Sequence, residues 1–316
     1  MRKIGFYVTA LVASVLASCS NEENIVSPVE EAEQFVAVMA EGESRTSLGG
    51  NSVLWTYDAQ QEKTDKISIF RKNGYNTEYY LSSVDKNNVA IFTYSKKYDD
   101  DSKDVTGLQK NFAVYPYQND ITITSNEIVT VAIPSSQTFY ENTFDPAAAF
   151  MFAVSDNQQL GFKNANALMK FELIKMPGDS DYTINSIVLT SASKALNGPA
   201  TIAMNNDEPT VTLGEKSESN NSLTLTCTDA TVNSLDVDNP NVFYLVVTPG
   251  TYNANDLKLT FNVTYGGENK SIEKTISEDV VLNRNSIWKV PYILGSEDFT
   301  GEIAGFGSTS QDAAAQ

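Results

Sequence analysis

The clearest strand pattern in the sequence is Leu257-Lys258-Leu259-Thr260-Phe261-Asn262-Val263-Thr264-Tyr265. Its odd-numbered positions are large and apolar, and its even-numbered positions are polar. This period of two predicts a strand with one face on a core and the other in water. Gly266-Gly267 follows and predicts a tight turn into a second strand over residues 270–276, which completes a hairpin.

Strand-length segments of this kind recur along the chain, separated by glycine, proline and asparagine. They include a first short strand at Phe35–Met39, then Lys66–Phe70 and Asp120–Thr124. The best candidate for a short helix is Ala147–Phe152, which follows Asp145-Pro146. Many short strands without long helices between them predict an all-β fold built of sandwiches.

Length and composition divide the sequence into five predicted segments. The 316 residues suffice for two domains of ordinary size. Polar, turn-rich stretches at 134–137 and 155–159 place the boundary near residue 154. The segments are a signal peptide (1–18), an acidic flexible tether (19–33), an N-terminal β-sandwich domain (34–154), a C-terminal β-sandwich domain (155–295) and a flexible tail (296–316).

The N-terminus predicts export and lipid attachment. A charged start, Arg2-Lys3, precedes an apolar stretch that ends in small residues, which is typical of a secretory signal peptide. Leu16-Ala17-Ser18-Cys19 resembles a bacterial lipobox, which implies cleavage before Cys19 and acyl chains such as palmitate on that residue. Two or three long acyl chains hold a protein firmly on a membrane. The alternative is an ordinary signal peptide that happens to be followed by a cysteine.

The composition argues against nucleic acid as a partner and against catalysis. The formal net charge of −18 becomes two charges more negative if Arg2 and Lys3 are removed, so the chain should repel polyanions. The sequence has no histidine, which removes the commonest general base and metal ligand. We therefore predict no enzymatic activity, no cofactor and no metal site. Acidic clusters at 99–104 and 236–240 lack the glycine spacing of an EF-hand and predict solvated loops.

Two further groups of residues allow two interpretations each. Cys227 alternates with Leu223 and Leu225 on one strand face, which favours a buried structural thiol over a reactive one. Tyr75, Tyr79 and Tyr80 lie in a polar setting, and they either pack within a sheet or form an aromatic patch that binds glycans.

Several motifs, in their order along the chain, resemble those of the fimbrillin family, the Mfa-like and FimA-like pilus subunits of Gram-negative bacteria. The motifs are Arg45-Thr46-Ser47-Leu48, Val53-Leu54-Trp55, 65–70, Ala113-Val114-Tyr115-Pro116-Tyr117, Ile133-Pro134-Ser135-Ser136-Gln137, 160–164, 168–171, 244–252 and 282–285. This resemblance implies two tandem transthyretin-like β-sandwich domains. Independently of the resemblance, Trp55 and Phe70 are expected in the cores, because aromatic side chains of strands bury large areas.

The resemblance also implies a mode of assembly. In that family a trypsin-like protease cuts after an arginine behind the first strand, and a segment of a neighbouring subunit fills the groove that the strand leaves. The matching arginine here is Arg45. The alternative interpretation is that Arg45 is an ordinary exposed loop residue. A cut there would remove the lipid anchor together with the first strand.

We therefore expect a surface-exposed, lipid-anchored subunit of a fimbrium on the outer membrane, acting in cell adhesion. Its partners would be other fimbrial subunits and a receptor on a host or bacterial surface. Glycines at 301, 305 and 307 weaken the tail as a donor strand, which leaves shaft, anchor and tip roles open. The alternative from another class is a glycan-binding surface lipoprotein of a nutrient-uptake system.

Overall fold

The computed structural model describes residues 33–40, 55, 64–71, 73–94, 107–296 and 310–311, and strands dominate them. The strands of the first half are β1 (Gln34–Met39), β2 (Lys66–Phe70), β3 (Thr77–Val84), β4 (Ala90–Tyr94), β5 (Asn111–Tyr115), β6 (Val129–Ile133), β7 (Ser136–Thr138), β8 (Met151–Ser155) and β9 (Gln159–Asn164). Those of the second half are β10 (Ala167–Lys175), β11 (Tyr182–Ser191), β12 (Gly198–Asn205), β13 (Glu208–Leu213), β14 (Ser222–Val232), β15 (Asn241–Val247), β16 (Gly250–Tyr252), β17 (Leu257–Tyr265), β18 (Glu268–Thr275), β19 (Val280–Leu282), β20 (Ile287–Leu294) and β21 (Ser310–Gln311). The predicted all-β class is confirmed. Within these ranges no helix has the length and apolar character needed to cross a membrane.

Seven strands close into a barrel in the order β1-β4-β3-β2-β5-β8-β9. Its interior is a hydrophobic core to which Trp55 belongs, with only 4% of that residue exposed. The Trp55 ring meets Phe92, Tyr115 and Phe162 edge-on at centroid distances of 5.2, 5.6 and 5.7 Å. Such edge-to-face contacts add to the free energy of burying the rings. The core position predicted for Trp55 is confirmed.

Two sheets in the second half face each other across a separate core. One has the order β18-β17-β11-β14-β7 and the other the order β15-β10-β20-β21. Phe171 of β10 meets Phe261 of β17 edge-on at 6.2 Å, which joins the two sheets through their inner faces. β17 alternates as predicted, with Leu257, Leu259 and the two residues after them on that face buried.

The hairpin predicted after β17 is confirmed. Gly266 and Gly267 have φ angles of 60° and 81°, and the flanking residues Tyr265 and Glu268 pair across the turn. Two successive positive φ angles are the signature of a tight hairpin turn whose twist matches that of the strands. Glycine takes such angles at no steric cost, which is why this dipeptide fixes the turn.

The segment from β6 to β7 belongs to two sheets. β6 pairs antiparallel with β12 in the three-stranded sheet β13-β12-β6, whereas β7 pairs parallel with β14. Between these strands lie only Pro134 and Ser135. Gln137 is 2% exposed, and its amide accepts from Val246 N at 2.9 Å and donates to Val246 O at 2.7 Å. Both β6 and β7 precede residue 154, and both pair with strands that follow it. The domain boundary at residue 154 stays a prediction.

Two local predictions differ from the structure. Asp120–Thr124 alternates in sequence, but it forms only an isolated bridge, between Ile123 and Val129. The Thr122 carbonyl accepts from Thr130 N, whereas the Thr122 amide donates to the Thr130 hydroxyl and not to a backbone carbonyl, so no regular ladder forms. The expected helix at Ala147–Phe152 is a single 3-10 turn at Pro146–Ala148, capped by the Asp145 side chain, and the chain then enters β8.

Candidate assembly interface

β1 is the strand that closes the barrel. It pairs antiparallel with β4, from Gln34 opposite Thr93 to Ala37 opposite Ala90. On its other side it pairs parallel with β9, where Val36 N donates to Gln158 O at 2.8 Å. Removing β1 would therefore expose the hydrogen-bonding edges of two strands at once, and we call the space between β4 and β9 the β1 slot. Unpaired edges of this kind recruit strands from other chains.

The side chains of β1 fill the slot in a large–small–large order. Phe35 and Ala37 are fully buried in the barrel core, and Met39 packs against its rim. The Phe35 ring meets Tyr79 edge-on at 5.2 Å. Val38 points the other way and is 38% exposed. The slot thus requires an aromatic residue, then a small one, then another large apolar one at every second position.

A cluster of polar side chains holds the residue that precedes β1, and we call it the Glu33 latch. Arg71 donates to Glu33 Oε2 in an ion pair. The Tyr79 hydroxyl donates to the same oxygen at 3.3 Å, and Gln158 Nε2 donates to Oε1 at 3.3 Å. Burial and, after it, the charge of Glu33 raise the pKa of Tyr79 well above its usual range, so this hydroxyl stays a donor. Three side chains, one from β3, one directly after β2 and one directly before β9, therefore converge on one carboxylate.

Sequence reasoning missed the latch. The sequence pattern assigns Glu33 to the tether and Gln158 to a turn-rich stretch, and it gives Arg71 no role. Glu33 and Gln158 are far apart in sequence, and only the parallel pairing of β1 with β9 brings them together. No local pattern carries that information.

The three candidate tyrosines do not share a face. Tyr79 is 2% exposed and packs inside the barrel, because successive residues of β3 point to opposite sides of the sheet. The ring of Tyr79 is therefore not available to stack on a sugar. Tyr80 pairs with Lys66 of β2 and points to the other side, while Tyr75 precedes β3, and both are half-buried. For these two the adhesive role stays a prediction.

Three other predicted features lie outside the described residues. They are Cys19 with the signal peptide, Arg45, and most of the tail. Of the tail, Ser296 is described, as are Ser310 and Gln311, which pair with Trp288 and Ile287 of β20. Ser296 is anchored to Asp179 by hydrogen bonds of 2.9 and 3.1 Å.

A cavity of about 360 Å³ lies beside the end of β13. Val211, Leu213 and Tyr252 are among the residues that line it, together with Lys194. The Lys194 ammonium donates to Thr251 O at 2.6 Å and lies 5.1 Å from the centroid of the Tyr252 ring. Its charge is thus already engaged by the protein itself.

The thiol of Cys227 should be unreactive in the folded protein. It is a free thiol, 8% exposed on β14, and burial raises its pKa to about 12. The ordinary pKa of a cysteine thiol is 9.0, so burial lowers the acid dissociation constant of Cys227 about a thousandfold. At pH 8 the thiolate fraction of Cys227 is therefore on the order of a thousandfold below that of an exposed thiol. A Cys19→Ser chain, in which Cys227 is the single cysteine, should resist iodoacetamide at pH 8 and react fully in denaturant. Rapid labelling of the folded chain would show that the thiol is accessible.

Comparison with known proteins places the fold. No family model and no curated protein matches the sequence. Among solved structures, a putative cell adhesion protein from Bacteroides ovatus aligns over 89% of this chain and 96% of its own, with a TM-score of 0.50 and 11% identity. A putative cell adhesion protein from Bacteroides uniformis aligns over 89% and 98%, with a TM-score of 0.47 and 13% identity. The C-terminally truncated tip fimbrial protein Mfa3 from Porphyromonas gingivalis aligns over 89% and 100%, with a TM-score of 0.35 and 9% identity.

These structural neighbours are adhesion and fimbrial proteins of the Bacteroidales, as the resemblance to fimbrillins predicts. The likeness to the Bacteroides ovatus protein extends over nearly the whole of both chains. The chain therefore has the fold of that putative cell adhesion protein.

Proposed function

We propose that this chain is a non-enzymatic subunit of a fimbrium that assembles by strand addition. The observation that carries the proposal is the place of β1, which closes the barrel between two strands, β4 and β9, that do not pair with each other. A strand inserted between two others forms hydrogen bonds on both sides. A segment of another subunit could therefore replace β1 in the same position.

The energetics of the slot favour refilling over an open groove. Each backbone hydrogen bond adds about 1 kcal/mol net. Burying an aromatic or aliphatic side chain such as Phe35 adds about 1.5–3 kcal/mol. An empty slot would leave these groups of the barrel without partners, so a barrel that has lost β1 should capture a strand of matching pattern.

The route to an open slot is a cut after Arg45. Residues 19–45 include both the predicted lipid on Cys19 and the whole of β1, so one cleavage would free the subunit from the membrane and open its slot together. A chain that escapes this cut keeps its lipid, its β1 and a closed barrel, which suits an anchor or tip subunit. Both forms would first reach the outer surface of the outer membrane as a lipoprotein.

Electron microscopy tests the proposal directly. Cells that make the protein should carry filaments labelled by antibody-gold against residues 155–295, and cells without the gene should lose either the label or the filaments. Label spread evenly over the cell surface, with no filaments under any growth condition, would contradict a fimbrial role.

A further inference from the structure

The tail repeats the side-chain pattern that fills the β1 slot. Glu33–Met39 reads Glu-Gln-Phe-Val-Ala-Val-Met, and Glu297–Ile303 reads Glu-Asp-Phe-Thr-Gly-Glu-Ile. Both segments have a glutamate, a phenylalanine two residues later, a small residue after two more, and a large apolar residue at the end. The glycine at 301, which weakens an isolated strand, thus stands where β1 itself has its small residue.

The four repeated positions are those that the barrel contacts. Phe35 and Ala37 are fully buried and Met39 packs on the rim, whereas Glu33 sits in the latch. The positions between them differ between the two segments, and there the slot is permissive, since Val38 is 38% exposed. Glu302, which falls at the position of Val38, would therefore project into water.

We propose that the Glu33 latch is a carboxylate-binding site that selects the donor strand and fixes its register in the β1 slot. Its second occupant is Glu297 of another copy of this chain. The inference rests on the proposed function, because β1 must leave first. A slip of one residue would turn every inward side chain of a donor strand outward. A charged contact at the mouth of the slot, made by Arg71, Tyr79 and Gln158, excludes that slip.

Charge complementarity favours this occupant. The chain has 40 acidic and 22 basic residues, so two copies repel each other over most of their surfaces. An acidic donor segment needs a cation at its docking site, and Arg71 supplies one. Another copy is the expected donor because Ser296, the residue directly before the donor segment, is held by Asp179 of its own chain.

Charge reversal in the full-length chain cut after Arg45 tests the inference. Glu297→Lys should lower the amount of polymer, measured by sedimentation, about tenfold or more, because like charges would then meet across the contact. Arg71→Glu should do the same, and Arg71→Glu combined with Glu297→Lys should restore polymer. Glu302→Lys is the matched control, since it makes the same charge change at an outward position and should leave polymer unchanged.

The outcomes separate this inference from the function on which it rests. Equal amounts of polymer from the Glu297→Lys and Glu302→Lys chains would show that the Glu33 latch does not select the donor strand. Assembly by strand addition would not be affected by that result. Absence of polymer from the unaltered cut chain would overturn both. If Arg71→Glu misfolds, the comparison of the two tail variants still decides, because neither changes the barrel.

Discussion

An Arg45→Ala chain should remain monomeric and membrane-bound, whereas the parent chain exposed to a trypsin-like protease, which cuts after arginine or lysine, should polymerise. The expected difference is close to all-or-none, because β1 occupies the slot between β4 and β9 for as long as it is covalently attached. A tethered strand competes at a high effective concentration against any strand from another chain. Size-exclusion chromatography and electron microscopy of material released from cells measure the outcome.

The matched control for this prediction is Arg45→Lys, which keeps a basic residue for a trypsin-like protease and should assemble as the parent does. N-terminal analysis of the polymer adds a second readout, since assembled subunits should begin at Thr46. Polymer whose subunits still begin with acylated Cys19 would show that the cut is not needed.

A Phe35→Ala substitution should loosen β1 by about 3–5 kcal/mol, the usual cost of removing a buried phenylalanine ring. Phe35 is fully buried and packs edge-on against Tyr79, so the substitution leaves a cavity in the barrel. Opening of β1 alone exposes this site, so the effect should appear in local hydrogen exchange before global unfolding. Faster exchange of the Val36 and Ala40 amides, which donate to Gln158 O and Phe162 O, would report it.

Val38→Ala on the same strand is the control for Phe35→Ala. Val38 is 38% exposed, and partly exposed substitutions usually change stability by about 0.5 kcal/mol or less. Urea unfolding should place this variant close to the parent. Equal effects of the two substitutions would mean that β1 is not held by its inward side chains.

The sequence predicts best those elements whose pattern is local. β17 and its hairpin follow from period two and from Gly266-Gly267, and β2 matches the predicted Lys66–Phe70. In β14, the inward set Leu223, Leu225 and Cys227 is buried as alternation requires. These features need no knowledge of distant partners, because the residues that define them are neighbours in the chain.

The candidate interface was only half predictable. The pattern of β1 identifies it as a strand, but its place between β4 and β9 depends on pairings across 53 or more residues, the shortest being that of Ala37 with Ala90. The latch depends on the same pairings. Asp120–Thr124 shows the opposite failure, because the Thr122 amide donates to the Thr130 hydroxyl and a single bridge forms in place of a ladder.

The two-residue connection between β6 and β7 has a mechanical consequence for a filament subunit. Pro134 and Ser135 span at most about 10 Å from the end of one strand to the start of the next. A pulling force that separates strands β1–β9 from strands β10–β21 must therefore break both the pairing of β6 with β12 and that of β7 with β14. In the proposed fimbrium, this short link would divide the mechanical load of flowing liquid between the antiparallel ladder and the parallel ladder.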